Sequence, residues 1–256
     1  MRFTVRREGY VGFMQRGTHR FLPIEHCEIA LDRVNDTLHQ VQDVTTGTRQ
    51  ITIRVGEQAS EQGTSLLVQP TLQWRSRQKR SVPSGQQWYK EHLAGRDFRI
   101  SSAAFFQVNT RQAEQLVSLV IERVTAIDPQ VVVDVYSGVG TFAALIAEKV
   151  PEVIAIEESV AAGVDSEINL EGLSNVKMLV GTAEVILPEI DPMPDVVVID
   201  PPRVGITTEV SDAILISRAR RLVYVSCNPN TFIRDLDQIL QSGYQVSHIQ
   251  PVDMFP

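Results

Sequence analysis

The sequence predicts an α/β protein in which a doubly wound parallel sheet follows a smaller, mostly β N-terminal region. From Val131 onward, short runs rich in valine and isoleucine alternate with amphipathic helical patterns, which is typical of parallel strands joined by helices. Before residue 96, short strand-like runs are separated by turn residues and only one helical pattern occurs. We therefore expect a small β-rich region over 1–95 and a ligand-binding α/β domain over 96–256.

Composition narrows the class of protein. No stretch approaches the 18 or more apolar residues of a membrane span, and the first residues lack the apolar core of a signal peptide. We therefore expect a cytoplasmic protein with no membrane partner. The two cysteines, Cys27 and Cys227, lie far apart in the sequence and form no metal-type pair, so a disulfide framework is not expected.

Charge is unevenly distributed along the chain. The net charge is -7, but residues 1–100 carry 15 Lys and Arg against 10 Asp and Glu, and residues 101–256 carry 9 against 21. The first region therefore has a net charge of +5 and the second of -12. A basic first region is suited to phosphates, and an acidic second region is suited to a cation.

The N-terminal region contains one predicted hairpin and one predicted helix. Strands over Phe3–Arg7 and Tyr10–Met14 flank a turn. Apolar residues recur at helical spacing after Cys27, which is predicted to begin an amphipathic helix, and an ordinary packed thiol is the alternative for this cysteine. Further strands are expected over Gln50–Val55 and Ser65–Gln69.

A basic run follows these strands. Trp74 precedes four positive charges, Arg75, Arg77, Lys79 and Arg80. An aromatic beside clustered cations is typical of a loop that follows a nucleic-acid backbone and stacks on a base. A solvated basic loop explains the same composition equally well.

The second region begins with a strand and then alternates regularly. A helix with an apolar face from Ala113 to Val124 precedes the strand Val131–Val135. Later elements are predicted as helices over Phe142–Lys149, Val160–Leu170, Thr208–Ser217 and Thr231–Gln241, and as strands over Asp97–Ile100, Val153–Ile156, Val176–Val180, Val196–Ile199, Leu222–Val225 and Val246–Ile249. Ligands of such sheets bind beyond the carboxyl ends of the strands.

A glycine-containing turn follows the strand Val131–Val135. Gly138 and Gly140 allow a tight turn and a close approach to a ligand, and Thr141 begins a helix with free N–H groups. The spacing differs from the dinucleotide-binding pattern, which would require a third glycine. Glu157 ends the next predicted strand, where an acid can hold ribose hydroxyls. The alternative is an α/β turn without a ligand.

Two later strand ends carry reactive side chains. Asp200 precedes two prolines, which fix the backbone after it. Cys227 lies just before a predicted helix N-terminus, where the helix dipole favours a thiolate. We interpret Cys227 as a nucleophile, and a buried inert thiol is the alternative.

These motifs, in this order, resemble the S-adenosylmethionine-dependent RNA 5-methyluridine methyltransferases that act on 23S rRNA or tRNA. The resemblance runs from about Cys27 to Pro256 and rests on five segments. They are Phe105–Asn109, Asp134–Thr141, Asp200–Arg203, Val225–Pro229 and Asp253–Pro256. The resemblance implies a Rossmann-like class I methyltransferase domain that transfers a methyl group to C5 of a uridine.

The resemblance also implies roles for individual residues. Cys227 would be the nucleophile that adds to uracil C6, with Asp200 as a second catalytic residue. The cofactor S-adenosylmethionine and the uracil would be held by Gln107, Tyr136, Gly138, Thr141, Glu157, Thr182 and Asp200. A thiolate is chemically required because uracil C5 is a poor nucleophile until C6 carries an electron-donating adduct. The target base would also have to leave its stack.

Some features depart from the family pattern. Members often have Asp where Thr182 stands, which leaves the adenine contact at this position open. Cys27 is similar to the last ligand of an iron-sulfur cluster, but the other three cysteines are absent, so a cluster is not expected. Relatives carry a small N-terminal RNA-binding domain and, after Met-Phe-Pro, a glutamate that removes the C5 proton. We therefore expect a chain truncated at both ends that lacks the final antiparallel strand of the sheet.

The sequence leaves three functions open. The leading one is an RNA uracil-C5 methyltransferase acting on rRNA or tRNA as a monomer. An amino-methyltransferase is the second, because Asp-Pro-Pro also precedes an aromatic residue in enzymes that methylate exocyclic nitrogens; here Arg203 replaces the aromatic. The third is a catalytically inactive RNA- or cofactor-binding module.

Overall fold

A computed structural model of the chain describes residues 1–6, 9–43, 45–59, 64–74, 82–241 and 243–254. The chain divides into two compact units, Met1–Ala103 and Ala104–Pro256. The second unit therefore begins at residue 104 instead of the expected 96. The reason is that Arg96–Ser101 pairs antiparallel with Trp88–Leu93 and forms a hairpin of the first unit.

The N-terminal unit contains nine strands and one helix among the residues described. The elements of this unit are β1 (Arg2–Val5), β2 (Val11–Met14), β3 (Phe21–Pro23), α1 (Asp32–Val41), β4 (Thr45–Thr46), β5 (Gln50–Val55), β6 (Leu66–Gln69), β7 (Gln73–Trp74), β8 (Trp88–Leu93) and β9 (Arg96–Ser101). Five of the strands form an antiparallel sheet of order β3-β2-β1-β5-β6, and two small sheets, β4-β7 and β8-β9, accompany it.

The core of this unit lies between the five-stranded sheet and α1. Strand β5 alternates buried and more exposed residues, with Ile51 and Ile53 facing the core. Val34, Leu38 and Val41 form the buried face of α1, as the helical spacing predicted. Burial of one sheet face and one helix stripe explains why these short elements are stable together.

The helix predicted to begin at Cys27 begins instead at Asp32. The side chain of Asn35 explains this difference, because its Oδ1 accepts from the Cys27 N–H over 2.9 Å and its Nδ2 donates to the Cys27 carbonyl over 3.1 Å. These bonds satisfy the Cys27 backbone in a turn before the helix. Cys27 is half-buried and unpaired in a disulfide.

The C-terminal unit is a parallel sheet of order β12-β11-β10-β13-β14 with helices between its strands. Its elements are α2 (Thr110–Thr125), β10 (Val131–Val135), α3 (Thr141–Ile146), β11 (Glu152–Glu157), α4 (Val160–Asn169), β12 (Val176–Val180), α5 (Ala183–Ile186), a 3-10 turn (Leu187–Glu189), β13 (Val196–Ile199), α6 (Thr208–Ser217), β14 (Arg221–Tyr224) and α7 (Pro229–Leu240). The predicted α/β class is confirmed.

The central strand β10 explains why the sheet forms. All five of its residues are buried, and it pairs in parallel with β11 on one side and β13 on the other. Register pairs such as Val133 with Ile154 and with Val197 align the strands. Continuous valine and isoleucine runs suit strands covered on both faces. The strands therefore end at one common edge.

The strand predicted over Val246–Ile249 is wrong. Within the described residues 243–254 no strand forms, and Val246 and Ile249 are 46% and 63% exposed. This segment is held near its ends instead, where the Tyr244 hydroxyl donates to the Ala219 carbonyl over 2.7 Å and Asn109 Nδ2 donates to the Met254 carbonyl over 3.1 Å. An alternating pattern without a paired neighbour does not make a strand.

In the part of the chain that the structure describes, no helix has the length and apolar character needed to cross a membrane.

Candidate cofactor and nucleophile site

The predicted site residues follow the carboxyl ends of all five parallel strands. Each strand end contributes one residue, in the spatial order of the sheet. Thr182 follows β12, Glu157 ends β11, Tyr136 follows β10, Asp200 follows β13 and Cys227 follows β14. Because parallel strands end at one edge, residues distant in sequence share one edge of the sheet.

The turn after β10 requires its two glycines for different reasons. Gly138 and Gly140 have φ angles of 57° and 83°, which side chains rarely adopt. A Cβ at Gly140 would lie 2.8 Å from the Ser166 Oγ, so a larger residue would require the Ser166 side chain to shift. A Cβ at Gly138 would meet nothing within 4 Å. Gly138 therefore faces open space, which a ligand could occupy.

Buried polar side chains hold this turn in place. Asp134 is fully buried, and its Oδ2 accepts from the Ala143 N–H over 2.9 Å. Asn169 on α4 donates to the Val139 carbonyl over 2.9 Å. Asp134 Oδ1 and the Ser137 Oγ have no hydrogen-bond partner among the described atoms. Unpaired buried polar atoms of this kind are costly, and they fit a turn shaped to receive polar groups of a ligand.

Glu157 joins the ends of two strands. Its Oε2 accepts from the Gly138 N–H and its Oε1 from the Ser159 N–H, both over 2.8 Å. Each carboxylate oxygen retains a second lone pair. The carboxylate can therefore receive a pair of hydroxyl groups while it remains fixed against the glycine turn.

The edge of the sheet is strongly acidic. Burial, with smaller contributions from the nearby charges of Asp200 and Glu157, raises the pKa of Asp134 to about 8. Burial also raises the pKa of Asp200 to about 6. Burial raises the pKa of Tyr136 to about 12, with a contribution from Glu184. A cation bound at this edge would stabilise the ionised forms of these buried acids. The residues present therefore fit a cationic nucleoside such as S-adenosylmethionine.

Cys227 is exposed, and its loop is attached to the loop that follows Asp200. Two side chains donate to the carbonyl of Arg203: Asn228 Nδ2 over 3.0 Å and Thr231 Oγ1 over 3.2 Å. Asn228 also caps α7, since its Oδ1 accepts from the Asn230 N–H over 3.1 Å. The thiol therefore precedes a helix N-terminus, as predicted, in a loop fastened to the Asp200 loop.

The sequence analysis did not predict a second connection between the Asp200 loop and the Cys227 loop, which is made by Asp235. Asp235 on α7 is fully buried. Its Oδ2 accepts from the Ile206 N–H over 2.9 Å and from the Tyr224 hydroxyl over 2.6 Å, and its Oδ1 accepts from Arg234. The sequence did contain a signal for this role, because Asp235 lies on the apolar side of an amphipathic helix. Acids at such positions are rarely buried without hydrogen-bond partners.

Other predicted residues are not joined to this edge. Gln107 is half-buried in the loop before α2, and its cofactor contact stays a prediction. Cys27 lies in the N-terminal unit, and no group of three or more His, Cys, Asp or Glu residues suited to a metal occurs among the described residues. The predicted RNA contacts lie outside the described residues: Arg75, Arg77, Lys79 and Arg80.

The sheet order, the glycine turn and the acidic edge define a Rossmann-like fold of the kind found in S-adenosylmethionine-dependent methyltransferases. The chain belongs to the tRNA (uracil-5-)-methyltransferase family, whose model matches residues 69–256. The predicted family is thereby confirmed.

Individual relatives agree with this assignment. The chain is 33% identical to an uncharacterised RNA methyltransferase of Thermosynechococcus vestitus, over 98% of this chain and 66% of that protein. It is 32% identical to another from Gloeobacter violaceus, over 98% of this chain and 64% of that protein. The chain thus spans slightly less than two thirds of the length of these curated relatives.

A solved structure shows the same fold. The tRNA (uracil-54, C5)-methyltransferase of Pyrococcus abyssi, in complex with S-adenosyl-L-homocysteine, matches with a TM-score of 0.77. The match covers 100% of this chain and 72% of that chain at 23% identity. At this identity the match is evidence for the fold alone.

Proposed function

We propose that the protein is an RNA methyltransferase that transfers the methyl group of S-adenosylmethionine to C5 of a uridine in tRNA or rRNA. The observation that carries this proposal is the position of Cys227, exposed at the helix N-terminus beyond β14 and tied through Arg203 to the loop of Asp200. Family membership supports the class of substrate.

In the proposed reaction the Cys227 thiolate adds to uracil C6 and forms an S–C6 bond. The electron pair displaced from the C5–C6 double bond makes C5 nucleophilic, and C5 takes the methyl group as the sulfonium becomes a neutral thioether. A base then removes the C5 proton, and the S–C6 bond breaks to return the thiolate. Covalent catalysis of this kind divides one difficult step into easier ones.

Residues of the sheet edge would hold the methyl donor. We assign the ribose hydroxyls to Glu157, whose oxygens keep free lone pairs beside Gly138. Tyr136, Gly138 and Thr141 would line the same pocket, together with Gln107 and Thr182. The cofactor supplies an electrophilic methyl group on a cationic sulfur. Asp200 would stabilise that cation as long as its carboxyl is ionised.

We propose a second role for Asp200, in binding the target uracil. Its pKa, raised to about 6 by burial, places the carboxyl close to the range in which it can exchange a proton near neutral pH. A buried carboxyl at the same sheet edge as the nucleophile can hydrogen-bond the polar edge of a uracil that has left its stack. The basic run Arg75, Arg77, Lys79 and Arg80 is proposed to contact the RNA backbone.

The proposal is tested with RNA in which 5-fluorouridine replaces uridine. Fluorine at C5 cannot leave as a cation, so the enzyme should remain bonded to the RNA after methyl transfer. We expect a denaturation-resistant adduct that requires S-adenosylmethionine and disappears in Cys227→Ala. The matched control, Cys27→Ala, removes the other cysteine and should leave the adduct intact.

Two alternatives give different results in this experiment. An amino-methyltransferase needs no cysteine, so methyl transfer to ordinary RNA that survives Cys227→Ala would favour it. A binding module without activity would retain cofactor or RNA binding but would form neither adduct nor methylated product. Either result would overturn the proposal.

A further inference from the structure

The outer face of the N-terminal sheet carries cations and aromatic rings on its first three strands. Residues 1–24 contain five arginines and one acid, Glu8. Five residues of this part of the chain, all half-exposed or exposed, form a surface that we call the β1–β3 surface. They are Arg2, Arg6, Tyr10, Met14 and Phe21.

Strand alternation places most of these residues on one face. In β1, Phe3 and Val5 are buried in the core, whereas Arg2 is exposed. The register pairs Thr4 with Gly12 and Met14 with Phe21. Since facing residues of paired strands share a side of the sheet, Arg2, Met14 and Phe21 lie on the side away from the core.

Arg6 is held against this face by its neighbours. Its guanidinium carbon lies 5.6 Å from the centroid of the Phe21 ring, and its Nη2 lies 3.7 Å from the Met14 Sδ. Within the described residues Arg6 forms no ion pair. Such an arginine has N–H groups left to meet phosphate oxygens. Arg2 lies on the same face and is exposed.

Tyr10 adds a different kind of contact. It pairs with Arg6 through the backbone, since the Arg6 N–H donates to the Tyr10 carbonyl over 3.0 Å. Its side chain is 43% exposed. An accessible aromatic beside cations is the combination that accepts an unstacked base together with its phosphate. On the other half of the sheet, β8 packs against β5 and β6, whereas Arg2, Arg6 and Tyr10 are exposed.

We propose that the β1–β3 surface binds unpaired nucleotides of the RNA substrate, with phosphates on Arg2 and Arg6 and a base stacked on Tyr10. The proposal rests on the proposed function, because it takes RNA as the substrate. It is independent of the basic run Arg75, Arg77, Lys79 and Arg80. Charge complementarity identifies the occupant, since five of the six charged residues in 1–24 are arginines.

The test measures binding of a short RNA hairpin with uridines in its loop, over a series of salt concentrations. Arg2→Gln with Arg6→Gln should lower the slope of log affinity against log salt by about 1.4, since each single-strand phosphate contact contributes about 0.7. The matched control is Lys149→Gln with Lys177→Gln, which removes the same charge from exposed positions in the other unit. Its slope should equal that of the wild type.

A second variant separates stacking from charge. Tyr10→Leu keeps an apolar side chain but removes the ring, so it should weaken binding roughly tenfold without changing the salt slope. Unchanged RNA affinity in Tyr10→Leu overturns the stacking assignment. It would favour an occupant that needs only the arginines, such as a protein partner with an acidic surface. Circular dichroism of every variant checks that the fold is retained.

The outcomes distinguish this inference from the proposed function. If the wild type forms the Cys227 adduct with 5-fluorouridine RNA but the arginine pair and the lysine pair change the slope equally, the β1–β3 surface is wrong and the proposed function stands. If the wild type neither forms the adduct nor binds the hairpin, both are overturned.

Discussion

The Tyr224 hydroxyl donates to the Asp235 Oδ2 over 2.6 Å and thereby fastens the end of β14 to α7. The same oxygen accepts from the Ile206 N–H, so the loop that follows Asp200 is fastened to the same carboxylate. Cys227 lies between Tyr224 and Asp235 in sequence. One buried acid therefore couples the positions of the proposed nucleophile and of Asp200.

The first prediction concerns this coupling. Tyr224→Phe should lower the free energy of unfolding by about 1.5 to 3 kcal/mol, because a hydrogen bond to a buried carboxylate is lost. It should also slow adduct formation with 5-fluorouridine RNA. The control Tyr244→Phe removes the 2.7 Å bond from a tyrosine hydroxyl to the Ala219 carbonyl, and should cost about 1 kcal/mol without affecting the adduct. Equal adduct rates in both variants would contradict a positioning role for Asp235.

The second prediction concerns how closely the backbone at Gly205 packs against Asp235. A Cβ at Gly205, where φ is 79°, would lie 2.2 Å from the Asp235 Oδ2. Gly172 has a similar φ of 82° but open space around it. Gly172→Ala should cost about 1 kcal/mol through backbone strain, and Gly205→Ala should cost a further 1 to 3 kcal/mol, approximately, through overpacking. Urea unfolding measures both, and equal losses would show that Asp235 moves away freely.

The third prediction concerns the ribose contact. Glu157→Ala should weaken S-adenosylmethionine binding by about 1 to 3 kcal/mol in calorimetry, because charge-assisted hydrogen bonds are lost. S-adenosylhomocysteine should lose a similar amount, since its ribose is the same. Glu148→Ala removes an exposed acid beyond α3 and serves as the charge-matched control. If both variants bind as the wild type does, Glu157 does not belong to the site.

The fourth prediction uses the pKa of Asp200. Burial raises this pKa to about 6, so the carboxylate that would attract the sulfonium is lost as the pH falls through that value. Affinity for S-adenosylmethionine should fall roughly tenfold, about 1.4 kcal/mol, between about pH 7.5 and about pH 5. S-adenosylhomocysteine has a neutral sulfur and should show a smaller change. In Asp200→Asn the two ligands should show the same pH dependence, and a persisting difference would assign the effect to another acid.

The same raised pKa has a consequence for stability. A carboxyl whose folded pKa exceeds its unfolded value contributes most to stability at low pH, and that contribution is lost as the pH rises through the folded pKa. Asp200→Asn should therefore be more stable than the wild type at neutral pH, and this difference should shrink as the pH falls below about 6. Thermal unfolding across this pH range measures it.

Local sequence pattern was sufficient to predict most regular elements of the α/β domain and the order of its proposed site residues along the sheet edge. Val131–Val135, Val176–Val180, Val196–Ile199 and Thr208–Ser217 occur at the predicted bounds. Parallel strands of this kind are short, nearly continuous apolar runs that the local pattern identifies. Because strand ends in such sheets share one edge, placing Cys227 at a strand end was enough to place it at the ligand edge.

The hydrogen bonds that connect separate loops could be identified only in the folded chain. The bond from Asn228 to the Arg203 carbonyl joins residues 25 positions apart, and the Glu157 bond to Gly138 joins two strand ends. The start of α1 depended on the Asn35 side chain, and Val246–Ile249 stayed without a partner strand. Hydrogen bonds from side chains to distant backbone groups leave no periodic signal in sequence, because they depend on where the packed elements bring the chain.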